Sequence, residues 1–306
     1  MKTLHKSRRL KEVSRRIAAF TLIELLVVIA IIAILAAILL PVLDAAKRRG
    51  LQAACINDFR DMGFAVNMYP SDFNGVYPNC LTKAPPNGSP DYYVWQPRLL
   101  PYAQNGRHVF FCPAALPDSI WDTNGNPTLS RVQGEYGKLD WYGILIGDPG
   151  NNGSRFSCGW NDWGLDISWT VNGQPVCLGM GGDVGANVVK ESMVRHPADM
   201  IVIADVRSDT PAGQIEYAAN TTPPTSWTTG QDPQWHPQVP CNRHDYHTDI
   251  VFADGHVETP LRSAVIDPNN AYWRSRWNND NDPHFNLAGG GANTWTVPAS
   301  YGTLER

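Results

Sequence analysis

The sequence has no Cys-x-x-Cys pair, and its six cysteines (Cys55, Cys80, Cys112, Cys158, Cys177 and Cys241) are widely scattered. The ligand spacing of zinc ribbons and fingers is therefore absent. His-Glu-x-x-His, a nucleophile elbow and a Walker-type glycine loop are missing too, and with them the common signs of metalloproteases, α/β-hydrolases and motor ATPases. No unit of solenoid length repeats. Basic residues are scarce outside the extreme N-terminus. Residues 1–19 hold seven Lys/Arg against one acid, Glu12, while the rest of the chain holds 18 Lys/Arg against 28 Asp/Glu. A body carrying −10 repels phosphates, which argues against nucleic acid as its main partner.

What is present is concentrated at the start. From Phe20 to Leu43 the chain is apolar except for Thr21, Glu24 and Pro41. At about 1.5 Å per residue such a helix spans a hydrocarbon core of about 30 Å. The basic residues before it give a positive-inside signal, with the N-terminus cytoplasmic. A secretory signal would have a shorter apolar region followed by small residues; here the small residues, Ala18 and Ala19, precede the run. A processing site on the cytoplasmic side fits this order. Glu24 carries the most information, because a carboxylate within such a helix costs about 2.5–3.5 kcal/mol near the bilayer centre. The helix supplies no base to pair with it. Cleavage before Phe20 would create an α-amino group four residues away. A plain signal anchor would instead leave Glu24 near the headgroups at little cost.

The stretch Ala19-Phe20-Thr21-Leu22-Ile23-Glu24-Leu25-Leu26 resembles the cleavage and methylation motif of type IV prepilins and type II secretion pseudopilins. The resemblance implies that a prepilin peptidase cuts between Ala19 and Phe20 and methylates the new amine. It also implies that Glu24 serves assembly with other pilin or pseudopilin subunits on an inner-membrane platform. Pro41 matches the proline that kinks the family's long helix. Ala19 stands where the family usually has Gly, and it is small enough for processing to proceed.

After Pro41, Leu51, Cys55, Phe59, Met62, Val66 and Tyr69 recur at spacings of three and four, on one face of a helix. The expected organisation is a basic leader over 1–19, a transmembrane helix over 20–43, a stalk helix over 44–69 and an extracytoplasmic globular domain over 70–306. Gly50 and Gly63 weaken the stalk locally, and Pro70 to Gly75 ends it. Expected strands are Val109–Cys112, Trp141–Ile146, Met200–Asp205, Asp249–Ala253 and Gly255–Glu258, with insertions at 114–138, 147–175 and 207–243. The fold class is α+β: a long helix packed on a mostly antiparallel sheet with large loops.

A second resemblance lies in His244, nine residues, then Asp254-Gly255. It is similar to the signature of a prepilin-processing-associated family, with which Cys55-Ile56-Asn57, the Asp72–Pro78 stretch and Phe110-Phe111-Cys112-Pro113 also agree. Asp254-Gly255 reads as a hairpin turn with φ > 0 at Gly255, to which His244 is expected to hydrogen-bond. The neighbouring His247, His256, Asp245 and Asp249 leave metal or acid–base chemistry open. Asp249 and Asp254, of opposite parity on a strand, would face opposite ways unless a bulge intervenes.

Three further features admit two readings each. The cysteines are either buried thiols or disulfides, with Cys80–Cys112 and Cys158–Cys177 the expected pairs. The Asn278–Asp282 run offers oxygens for a structural calcium ion or forms a polar loop. Trp121, Trp160, Trp163, Trp227, Trp235, Trp273, Trp277 and Trp295 either stack on a glycan or fill small cores. The leading expectation is a structural pseudopilin or pilin subunit, single-pass in the inner membrane, without catalytic residues or cofactor. A membrane-anchored glycan-binding protein is the alternative, and an anchored hydrolase built on His244 and Asp254 a third.

Overall fold

A computed structural model describes residues 21–83, 92–104, 106–115, 139–140, 143–146, 157–163, 170–171, 174–175, 178–181, 188–206, 220–221, 223 and 239–284. The chain divides into two compact units, residues 1–47 and 48–306. In the first, the opening half of helix α1 (Leu22–Asp72) exposes an apolar surface from Leu22 to Leu43, interrupted by the charged Glu24. It is long and apolar enough to cross a membrane.

In the second unit, α1 buries Cys55, Phe59, Met62, Gly63, Ala65, Val66, Tyr69 and Pro70. This is the face marked by the apolar spacing. The helix runs three residues past its expected end, to Asp72, with Pro70 in its last turn. The Pro70 carbonyl accepts from the N–H groups of Phe73 and Gly75, and Asn74 and Gly75 then take left-handed φ values of 55° and 75°.

Strands β1 (Leu81–Lys83), β2 (Tyr92–Val94), β3 (Leu139–Asp140) and β4 (Gly143–Ile146) form an antiparallel sheet in the order β1-β2-β4-β3. Helix α2 (Gln96–Leu99) follows β2. A second sheet combines β5 (Cys158–Asn161), β8 (Ile201–Asp205), β9 (Asn220–Thr221), β10 (Ile250–Phe252) and β11 (Val257–Glu258), in the order β11-β10-β8-β5-β9. All its pairings are antiparallel except β5 with β9. A small ladder joins β6 (Thr170–Val171) to β7 (Gln174–Pro175), and short helices α3 (Arg262–Val265) and α4 (Ala271–Ser275) follow β11. The α+β class with a long helix and antiparallel sheets stands.

Two expectations are corrected. Val109–Cys112 is not a strand: Gly106–Phe110 is a 3-10 helix, and Val109 and Phe110 are both buried in succession, which a strand with one buried face does not allow. The stretches 147–175 and 207–243 are not merely insertions, since the first contains β5, an inner strand of the larger sheet, and the second contains β9, which pairs with it. All four β5 residues are buried, so Cys158-Gly159-Trp160-Asn161 shows no alternation for a pattern search to find. The look-alike segments ending in Asp205 and beginning at Asp249 are sheet neighbours. Antiparallel pairing of Ile250 with Ala204 sets the two acids side by side, and Asp205 N donates to Asp249 O at 2.9 Å.

The helix meets the second sheet at a backbone contact. Gly255 (φ 86°) turns the β10–β11 hairpin, and its carbonyl lies against Gly63, where a Cβ on α1 would overlap it. One turn later Asn67 Nδ2 donates to Asp254 O at 2.6 Å. Gly50, on the same helix, has open space around it. Gly63→Ala is therefore expected to destabilise the body by about 1–3 kcal/mol through overpacking. Gly50→Ala should stabilise the helix by about 0.5–1 kcal/mol. Thermal unfolding of the two variants should move in opposite directions, and equal shifts would contradict the contact.

Candidate functional site

The first candidate site is the N-terminal end of α1. Ala19 and Phe20 lie outside the described residues. Thr21 and Glu24 cap the helix reciprocally: Glu24 Oε2 accepts from Thr21 N at 2.9 Å and Thr21 Oγ1 at 2.8 Å, while Glu24 N donates to Thr21 Oγ1 at 3.2 Å. Such a box satisfies N–H groups that the first turn leaves without helical partners. The Thr-x-x-Glu spacing was present in the sequence as a capping signal, but the apolar setting drew attention only to the cost of the charge. Pro41 lies inside α1 and donates no hydrogen bond to the Ala37 carbonyl.

The second candidate is the region around His244. The expected bond from His244 to the hairpin turn is not made. Its Nε2 lies 3.2 Å from Cys112 Sγ and 3.5 Å from both Asp205 Oδ2 and Asp249 Oδ2. Cys55 joins the same group from α1. Asp205 Oδ1 accepts from Arg243 Nη1 at 3.1 Å. Burial pushes Asp205 well above the carboxylate range and Asp249 to about 6, with the charges of Arg243 and His244 pulling the other way. Burial would also raise the Cys112 thiol, but the Cys55 thiol, the His244 imidazole and the Arg243 charge overcome it and hold Cys112 well below the usual range. The Cys55 thiol is pushed well up, first by burial and then by Cys112.

His244 and Asp254 thus do not form one site. A register shift does occur between Val251 and Phe252, yet Asp249 stays buried while Asp254 lies exposed in the turn. Asp254 Oδ1 instead holds His256 N at 3.1 Å and contacts His256 Nδ1 at 2.5 Å. His247 Nδ1 turns to the Asp245 carbonyl. The His256 ring stacks on Phe252, and its Nε2 lies 3.3 Å from Glu258 Oε1. Glu258 takes both terminal nitrogens of Arg276, at 2.8 and 2.7 Å. Arg276 also bonds Asp199 at 3.1 Å and lies over the rings of Phe252, Tyr272 and Trp273.

The cysteine pairing is corrected as well. Cys112 and Cys158 form no disulfide, and Cys112 lies beside Cys55 rather than bonded to Cys80, because α1 passes the end of the 3-10 turn. Cys177 is outside the described residues. Of the tryptophans that admitted two readings, Trp160, Trp163, Trp273 and Trp277 are interior, which favours core filling for these four. The indole N–H groups of Trp160, Trp163 and Trp277 donate to Met180 O, Asn278 Oδ1 and Val265 O, leaving no polar edge for a ligand. Trp121, Trp227, Trp235 and Trp295 are outside the described residues. Along the Asn278–Asp282 run, Asn278 Oδ1 serves Trp163, Asn279 Nδ2 donates to Gly179 O, and both Asp280 oxygens face His284 Nε2.

An apolar, exposed helix half that continues into a half buried against a β-rich body defines a pilin-like, membrane-anchored subunit. Residues 14–40 match the family described as the prokaryotic N-terminal methylation motif. The chain is 31% identical over 139 residues to the type II secretion system core protein G of Aeromonas hydrophila, covering 45% of this chain and 90% of that protein. It belongs to that family of pseudopilins. No solved structure matches it.

Arg276 holds Glu258 below the usual carboxylate range through its hydrogen bonds, against the opposing effect of burial. The stabilisation this gives is complete above the ordinary Glu value near 4.5 and is lost as pH falls through the depressed folded value. Arg276→Met should cost on the order of 1–2 kcal/mol at neutral pH, a modest figure because Glu258 is partly solvated. It should also flatten the loss of stability below about pH 4.5. Urea unfolding at pH 7 and pH 3.5 checks both, and an unchanged acid response would break the assignment.

Proposed function

We propose that the chain is a structural subunit of a type II secretion pseudopilus, cut by a prepilin peptidase between Ala19 and Phe20 and methylated on the Phe20 amine. The observation that carries this reading is α1 itself. The methylation motif over residues 14–40 overlaps the start of a 51-residue helix whose opening is exposed and apolar. On this reading residues 20–43 cross the inner membrane with the basic leader in the cytoplasm, and the body lies outside it. The aligned apolar helices of neighbouring subunits pack in lipid. There the Glu24 carboxylate accepts the Phe20 amine of a neighbour, which offsets the cost of placing it in hydrocarbon.

The subunit supplies shape and packing rather than catalysis, and its motive force comes from a separate ATPase of the assembly platform. Glycan recognition draws no support from the interior tryptophans.

Intact mass and N-terminal peptide mapping of the protein from cells with a prepilin peptidase test the first step. A chain beginning at Phe20 with one added methyl group is expected, and an intact Met1 leader would defeat the proposal. Glu24→Val should be processed normally, keep the fold of the body and fail to enter sheared filaments. Thr21→Val removes the hydroxyl of the capping box but leaves Glu24 to meet the amine, so it should reduce incorporation far less.

A further inference from the structure

Four side chains that the assembly role does not use converge inside the body. Cys55 comes from α1, Cys112 follows the 3-10 turn, Asp205 ends β8, and His244 lies in the turn before β10. All four are buried, with exposures of 0, 2, 0 and 4% respectively. One ligating atom from each lies within 4.8 Å of all the others. Ligands around tetrahedral zinc, with Zn–S of about 2.3 Å and Zn–N or Zn–O of about 2.0–2.2 Å, are themselves about 3.4–3.8 Å apart. The 3.5 Å between His244 Nε2 and Asp205 Oδ2 is of that size, and the 3.2 Å between His244 Nε2 and Cys112 Sγ is slightly shorter.

The carboxylates provide an independent observation. Asp205 Oδ1 is held by Arg243, whereas Asp205 Oδ2, aimed at the imidazole, makes no hydrogen bond. Both oxygens of the wholly buried Asp249 also lack one. A buried polar atom left in this way costs about 1–3 kcal/mol, more for a charged group. A cation at the common centre of the four ligands would engage Asp205 Oδ2. We propose that Cys55, Cys112, Asp205 and His244 form a closed structural zinc site.

Two sulfurs with one nitrogen and one oxygen favour zinc over calcium or magnesium, which take oxygen ligands. Arg243 orients the Asp205 carboxylate from outside the ligand set. Zinc binds the thiolates, so loading releases the remaining thiol protons to solvent. The ion ties α1 to the sheet and to the turn before β10, and the site stands whether or not the chain enters a filament.

The test uses the full, untagged chain extracted in detergent without chelator. Elemental analysis should find one zinc per chain. Zinc-edge X-ray absorption should show two sulfurs at about 2.3 Å and two nitrogen or oxygen ligands at about 2.0–2.2 Å. Removing zinc with a chelator should open Cys55 and Cys112, located by peptide mapping, to alkylation. Cys112→Ser and His244→Ala should each lower zinc retention about tenfold or more; should either fail to fold, the absorption spectrum of the unaltered chain still decides. A zinc-free chain with free thiols, a Cys55–Cys112 disulfide in the non-reduced map, or a metal shell without two sulfurs would each overturn the site.

Discussion

The body is organised around a place where two backbones touch. Gly63 on α1 and Gly255 in the hairpin turn face each other at a separation that no side chain permits. Asn67, one helical turn further on, holds the carbonyl of Asp254. With helix and hairpin joined there, the rotation of α1 is set, so Phe59, Met62 and Val66 enter the core and Cys55, two turns earlier, points into the same interior. The hairpin in turn places β10 against β8, which brings Asp249 to Asp205. The Asp-Gly signature thus matters as a docking surface rather than as a source of reactive groups.

The same helix works in two solvents. Its first half exposes only what lipid accepts, and the exception, Glu24, is tied to Thr21 at the helix start. The carboxylate there accepts from the Thr21 N–H and complements the positive end of the helix, while the Thr21 hydroxyl takes the first-turn N–H of Glu24. Its second half is half-buried and amphipathic because the body supplies the apolar partner on one face only.

Buried charge is the costly feature of this fold. Asp205, Asp249, Arg243 and His244 occupy the interior beside two thiols, where removing one member would strand the others. Aromatic and apolar groups surround the region, with Trp95, Phe110 and Trp160 packed ring against ring in the same core as Cys55 and Cys112.

By itself the sequence determined the membrane-length helix, the stalk face, the strands at β8, β10 and β11 and the left-handed glycine of the hairpin. Each of these is encoded within a few consecutive residues by apolar period, turn chemistry or motif. Tertiary structure alone decided what meets what. β5 was hidden because a strand buried on both faces carries no alternation, and the two readings of the tryptophans were decided as core for Trp160, Trp163, Trp273 and Trp277 only by distant partners such as Met180 and Val265. His244 turned away from the hairpin toward Cys55, Cys112 and Asp205, which lie 39 to 189 residues from it along the chain. No spacing rule detects such a group, since the distances that matter are closed by the packing of α1 on the sheet and not by the local path of the chain.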